Sequence, residues 1–116
     1  MGVTIYHNPR CSKSRQTLEK IRQAGIEPTV IEYLKTPPSG DDIKSLLAKL
    51  GKENPRDIMR VKEAPFAELD LGNPAQDNEK LITAIAENPI LLERPIVISD
   101  KGAQICRPPE LVASLL

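Results

Sequence analysis

The sequence predicts an α/β fold: a four-stranded mixed sheet with flanking helices, and a helical insertion between a βαβ half and a ββα half. Three observations carry this prediction. Two β-branched or aromatic runs, residues 3–6 and 29–33, enclose a stretch of helical period. Further on, Ile43, Leu46, Leu47 and Leu50 repeat at i, i+3, i+4 and i+7, the pattern of an amphipathic helix. Near the C-terminus two apolar runs flank Asp100-Lys101-Gly102, turn chemistry that reads as a hairpin.

The elements follow in order. Val3, Thr4, Ile5 and Tyr6 suit a pleated surface, and Asn8-Pro9 then turns the chain. From about residue 12 to 24 the period is helical, with Thr17, Leu18, Ile21 and Ala24 on one face and Gly25 as the stop. A second strand at 29–33 completes a strand–helix–strand unit, whose strands should lie parallel. Ser39 and Asp42 resemble a capping box with Asp in place of Glu, and the helix they open closes at Gly51. Residues 55–62 and 65–71 read as shorter helical pieces with proline near the first turn. Residues 78–87 form another helix, with Leu81, Ile82 and Ile85 inward and Asn88-Pro89 as its end. Strands at 95–99 and 103–106 make the hairpin, and Pro108-Pro109-Glu110 opens a last helix through Leu111, Val112 and Leu115. This order is the thioredoxin-like plan.

A chain of 116 residues predicts a single domain, residues 1–116, with a real core. Sixteen basic and sixteen acidic residues cancel, so no global field attracts nucleic acid or a membrane surface. The apolar runs fall far short of the roughly 20 residues that span a bilayer, and no signal peptide opens the chain. A cytoplasmic protein is expected. Cys11 and Cys106 are too few for a disulfide framework. With a single His and no Cys/His cluster, no metal site is expected; no bound cofactor is expected either.

Cys11 stands between the first strand and the first helix, in the basic stretch His7-Asn8-Pro9-Arg10-Cys11-Ser12-Lys13-Ser14-Arg15. A thiol at a helix N-terminus feels the positive end of the dipole, which together with nearby cations favours the reactive thiolate. Most free cysteines are buried small hydrophobes, but the polar neighbours and the loop position favour a nucleophile. Ser14 stands where a Cys-x-x-Cys pair would have its second thiol. Oxidation of Cys11 must therefore be resolved by an outside thiol, such as glutathione or a partner protein, or by Cys106. Ser14 itself either donates to the thiolate or merely occupies the first helical turn.

Three arginines suit a tetrahedral oxyanion, because a guanidinium binds such groups in bidentate fashion. Arg94 and Arg107 flank the hairpin beside prolines, whereas Arg60 lies in the insertion, where a solvated charge is the default. Spacing alone does not unite the three. His7 reads as a structural or pKa-tuning residue, Cys106 as a buried inert thiol, and Pro95 as a candidate cis proline closing the site.

Tyr6-His7-Asn8-Pro9-x-Cys11, Glu93-Arg94-Pro95-Ile96-Val97 and Cys106-Arg107-Pro108 together resemble the glutaredoxin-coupled arsenate reductase family. The resemblance runs over essentially the whole chain, including Tyr33-Leu34-x-x-Pro37-Pro38. It implies a thioredoxin-like fold with a cis proline at Pro95. It also implies Cys11 as nucleophile, with Arg60, Arg94 and Arg107 holding arsenate and His7 favouring the thiolate. Glutathione is the implied co-substrate, and glutaredoxin the partner that clears the resulting mixed disulfide. One departure stands beside the nucleophile: Ser12-Lys13 replaces the Gly-Thr of well-known members. Two other readings remain open. One is a general glutathione-dependent thiol oxidoreductase. The other is an Spx-type regulator that binds RNA polymerase, against which Ser14 and the arginines argue.

Overall fold

A computed structural model describes residues 2–116 as two compact units. The first unit combines residues up to Thr36 with Arg94–Leu116 and contains the sheet. Its strands are β1 (Thr4–His7), β2 (Thr29–Glu32), β3 (Ile96–Ser99) and β4 (Gly102–Ile105), in the order β2-β1-β3-β4. β1 pairs with β2 in parallel, and both β1–β3 and β3–β4 are antiparallel. This is the four-stranded mixed sheet of the thioredoxin-like fold.

Helix α1 (Ser12–Gln23) makes the crossover between β1 and β2. Its apolar stripe is narrower than the sequence predicts. Ser14, Thr17 and Ile21 are buried and Leu18 is half-buried, whereas Ala24 is exposed beyond the last turn. Ile21 joins Val3, Ile5, Val97, Cys106, Val112 and Leu115 in one buried cluster. Thr17 is accommodated in the buried face because its hydroxyl donates to the Lys13 carbonyl at 2.8 Å. The C-terminal segment Pro109–Leu115 is a 3₁₀ helix rather than an α-helix.

β1 runs one residue later than the strand propensities suggest. Thr29 N–H donates to the Val3 carbonyl at 2.8 Å, and the ladder continues until His7 lies opposite Glu32. His7 thus becomes the last residue of a strand instead of the first residue of a loop. At the hairpin, Ser99 pairs with Gly102, which adopts φ 136°. A side chain is strained there, so the turn places a glycine.

The second unit spans Pro37–Glu93. Helix α2 (Gly40–Leu50) has the anticipated capping box: Asp42 N–H donates to Ser39 Oγ, and Ser39 N–H donates to the Asp42 carboxylate, each at 3.1 Å. Gly51 ends it at φ 68°. Helix α3 (Ala64–Glu68) is shorter than the helical pattern of 65–71, because Asp70 turns left-handed at φ 55°. The piece anticipated at 55–62 is a single 3₁₀ turn, Pro55–Ile58. It stops because Met59 bridges to Leu92 and Arg60 N–H donates to the Leu91 carbonyl at 2.7 Å. Helix α4 (Asn78–Glu87) keeps the boundaries read from sequence, capped by the Asp77 side chain, and buries Leu81, Ile82, Ala84 and Ile85. Among the described residues no helix is long and apolar enough to cross a membrane.

Candidate active site

The site is built on the loop from β1 to α1. Asn8 shapes this loop: its carbonyl accepts from Cys11 N–H and its side-chain oxygen accepts from Arg10 N–H, both at 3.0 Å. Cys11 is thereby set as the N-cap of α1, extended at φ −90° and ψ 122°, and its carbonyl starts the helix by accepting from Arg15 N–H. The first turn of α1 contains no acidic residue. The positive end of its dipole is therefore left to the Cys11 sulfur.

Cys11 is half-buried, and burial alone would raise its pKa. The N–H of Ser14, the charge of Arg94, the N–H of Lys13 and a hydrogen bond from Arg94 oppose burial and prevail, so the pKa is lowered. The thiol makes no full side-chain capping bond, so these donors act chiefly on the charged form. Two refinements of the sequence reading follow. The charge that acts on Cys11 comes from Arg94, on the far hairpin, while the neighbouring Arg15 turns its guanidinium to the Pro9 carbonyl at 3.0 Å. Ser14 serves the thiol through its backbone N–H, whereas its hydroxyl is engaged elsewhere.

That hydroxyl lies 2.6 Å from His7 Nδ1, and both side chains are buried. Asn8 N–H donates to the same oxygen at 3.1 Å. The Ser14 hydroxyl thus bridges the His7 ring and the Asn8 backbone. Burial lowers the His7 pKa, Glu32 partly counteracts this, and Arg22 and Arg15 lower it further. His7 is thus a neutral imidazole at pH 7. It holds Ser14, and through Ser14 the loop and the first helical turn; it is not a cation beside the thiolate.

Arg94 and Arg107 reach the site from the hairpin. Ile96 pairs with Ile105, and Cys106 N–H donates to the Pro95 carbonyl at 2.9 Å. Arg94 and Arg107 thus flank the open end of the hairpin. Both residues precede cis prolines, Pro95 and Pro108; the first was anticipated and the second was not. Arg107 Nη1 lies 3.9 Å from Cys11 Sγ and donates to the Arg94 carbonyl at 3.4 Å. A thiol and two guanidinium-bearing residues are thus assembled within the first unit.

Cys106 is fully buried in the core cluster, and burial pushes its pKa up to about 12. It is an inert thiol, as its apolar run suggested. Arg60 belongs to the second unit, where it is half-buried and pairs with Glu63 at 3.2 Å. Its charge is thus partly shielded and locally paired. Among the described residues no group of His, Cys, Asp and Glu could hold a metal ion.

Residues 6–115 match the model of the ArsC family. The chain belongs to that family. It is 51% identical over 116 residues to an arsenate reductase of Rhizobium meliloti (strain 1021), covering 100% of this chain and 82% of that one. It is 46% identical over 114 residues to the uncharacterized protein YfgD of Escherichia coli (strain K12), covering 98% and 96%. The solved structure of an arsenate reductase from Vibrio cholerae superposes with a TM-score of 0.96 at 47% identity, over 100% of this chain and 98% of the other. The resemblance seen in three short motifs is therefore a property of the whole ArsC-family chain, and Cys11, Arg94 and Arg107 are the motif residues that the fold brings together.

Proposed function

We propose that this protein is an arsenate reductase that works through the single thiol Cys11, with glutathione and glutaredoxin as its reductants, in the cytoplasm. The observation that carries the reading is the cradle itself: a thiol of lowered pKa with Arg107 Nη1 at 3.9 Å and Arg94 acting on it by charge. The arginines neutralise an incoming tetrahedral oxyanion, so that an anionic nucleophile can approach it. The resemblance adds Arg60 as a third arginine, a residue of the second unit.

The Cys11 thiolate forms an S–As bond with arsenate, and one arsenate oxygen leaves as water after taking up protons. Glutathione joins the adduct through its thiolate, the S–As bonding pair leaves on arsenic, and arsenic departs as arsenite. Cys11 and glutathione remain joined as a mixed disulfide, both sulfurs having been oxidised by one electron each. A glutaredoxin thiol attacks the glutathione sulfur and releases the Cys11 thiolate. No second thiol is needed in the protein, which suits Ser14 at the position of a resolving cysteine and the burial of Cys106.

A general glutathione-dependent thiol oxidoreductase would use the same Cys11 but has no need of two arginines at one sulfur. Arsenate-dependent NADPH oxidation in a coupled assay with glutathione, glutaredoxin and glutathione reductase tests the reading. Activity is expected in the native protein and absent in Cys11→Ser. Reduction of model glutathione disulfides with no response to arsenate would favour the general oxidoreductase.

A further inference from the structure

We propose that the cavity at the carboxyl ends of β1 and β2 is the subsite that holds the γ-glutamyl end of glutathione. This rests on the reading of glutathione as co-substrate and locates where it binds. The cavity, about 200 Å³, lies between His7, Asn8 and Arg10 on one side and Glu32, Leu34 and Lys35 on the other. β1 and β2 run parallel with His7 opposite Glu32, so both strands end here. β2 does not simply run on: Lys35 and Thr36 N–H both donate to the Glu32 carbonyl at 2.9 Å. This turn folds Leu34 and Lys35 back to form the outer wall.

The charges on the walls select the ligand. Glu32 contributes a carboxylate, and Arg10 and Lys35 contribute cations. A second oxyanion would meet Glu32, and a simple cation would meet Arg10 and Lys35. A zwitterion with an ammonium and a carboxylate on one carbon satisfies both signs, and the γ-glutamyl end of glutathione is such a group. Leu34, 43% exposed, offers an apolar surface to its methylenes. The existing Glu32–Lys35 pair is 3.5 Å long and exposed, so it contributes little and can yield to a ligand. The location also suits the chemistry. His7, Asn8 and Arg10 belong to the strand end and loop that lead directly to Cys11, so the cavity adjoins the segment that carries the nucleophile.

The test separates binding from turnover. S-methylglutathione, which cannot react, and S-methylcysteinylglycine, which lacks the γ-glutamyl group, are titrated into the intact protein while the amide resonances of Leu34 and Lys35 are followed. The proposal expects shifts with the first probe only, with a midpoint raised about tenfold in Glu32→Gln and in Lys35→Glu, a loss of about one charged contact. The KM for glutathione should rise in parallel while the KM for arsenate is unchanged. Equal shifts with both probes, or none at these amides, would overturn it. Failure of the native protein to reduce arsenate with any thiol would instead overturn the functional reading, and the amide shifts would still decide the subsite.

Discussion

Arg107 Nη1 spans from the Arg94 carbonyl at 3.4 Å to Cys11 Sγ at 3.9 Å, beside the open end of the β3–β4 hairpin. Two guanidinium groups acting near one sulfur repel each other. An anion between the two arginines reverses the sign of that interaction, and the Cys11 thiolate is the first such anion. An arsenate oxyanion is the second.

Replacing Arg107 by Lys keeps the charge and removes the planar fork. The expected result is a loss of about tenfold to a hundredfold in kcat/KM for arsenate, the effect of about 1.5–3 kcal/mol for a charge-assisted hydrogen bond. Arg94→Ala should in addition raise the Cys11 pKa, since Arg94 lowers it by charge and by hydrogen bond. The pH dependence of alkylation by iodoacetamide reads that shift directly.

Cys106 should be silent. With its pKa pushed up to about 12 and no exposed surface, it is not alkylated in the folded protein. Mass spectrometry should find one modified cysteine under native conditions and two in denaturant. Cys106→Ala should retain arsenate turnover and lose about 1 kcal/mol of stability from the core.

The Ser14 hydroxyl satisfies two buried or half-buried groups, His7 Nδ1 and Asn8 N–H. Ser14→Ala leaves both without this partner, and a cost of about 1–3 kcal/mol is expected in urea unfolding. Turnover should fall as well, because the loop that sets Cys11 at the helix terminus loses its tie.

His7 makes stability pH-dependent. Its pKa in the folded protein lies below the ordinary 6.5. The unfolded chain then binds more protons just below pH 6.5, so stability rises with pH there. The contribution is fully present above 6.5 and is lost as pH falls from 6.5 toward the lower folded value. Urea midpoints measured from pH 7 to pH 5 should fall more in the native protein than in His7→Gln.

Much of this was legible in the chain. The capping box at Ser39 and Asp42, the Gly51 stop and helix α4 are local features, written in neighbouring side chains. The juxtaposition of Arg107 with Arg94 and Cys11 was not: the turn was read as Asp100-Lys101-Gly102, and the pairing of Ser99 with Gly102 emerges only in the structure. Other features depend on contacts that sequence spacing does not encode. β1 extends to His7 because β2 offers it a partner at Glu32. The helical period after Pro55 yields to the Met59–Leu92 bridge. Ser14 faces His7 rather than the thiol because strand end and first helical turn meet across the Asn8 loop, a tertiary relation. The His7–Ser14 spacing was the only available signal, and it is not specific.

The measurement that bears most directly on the account is the titration of the Cys11 thiolate by its ultraviolet absorbance, with and without arsenate, using Cys11→Ser to subtract other thiols. The structure predicts a pKa below the ordinary value of about 8.5 for a free thiol, altered when arsenate occupies the arginines. A Cys11 that titrates at or above that value, indifferent to arsenate, would contradict it.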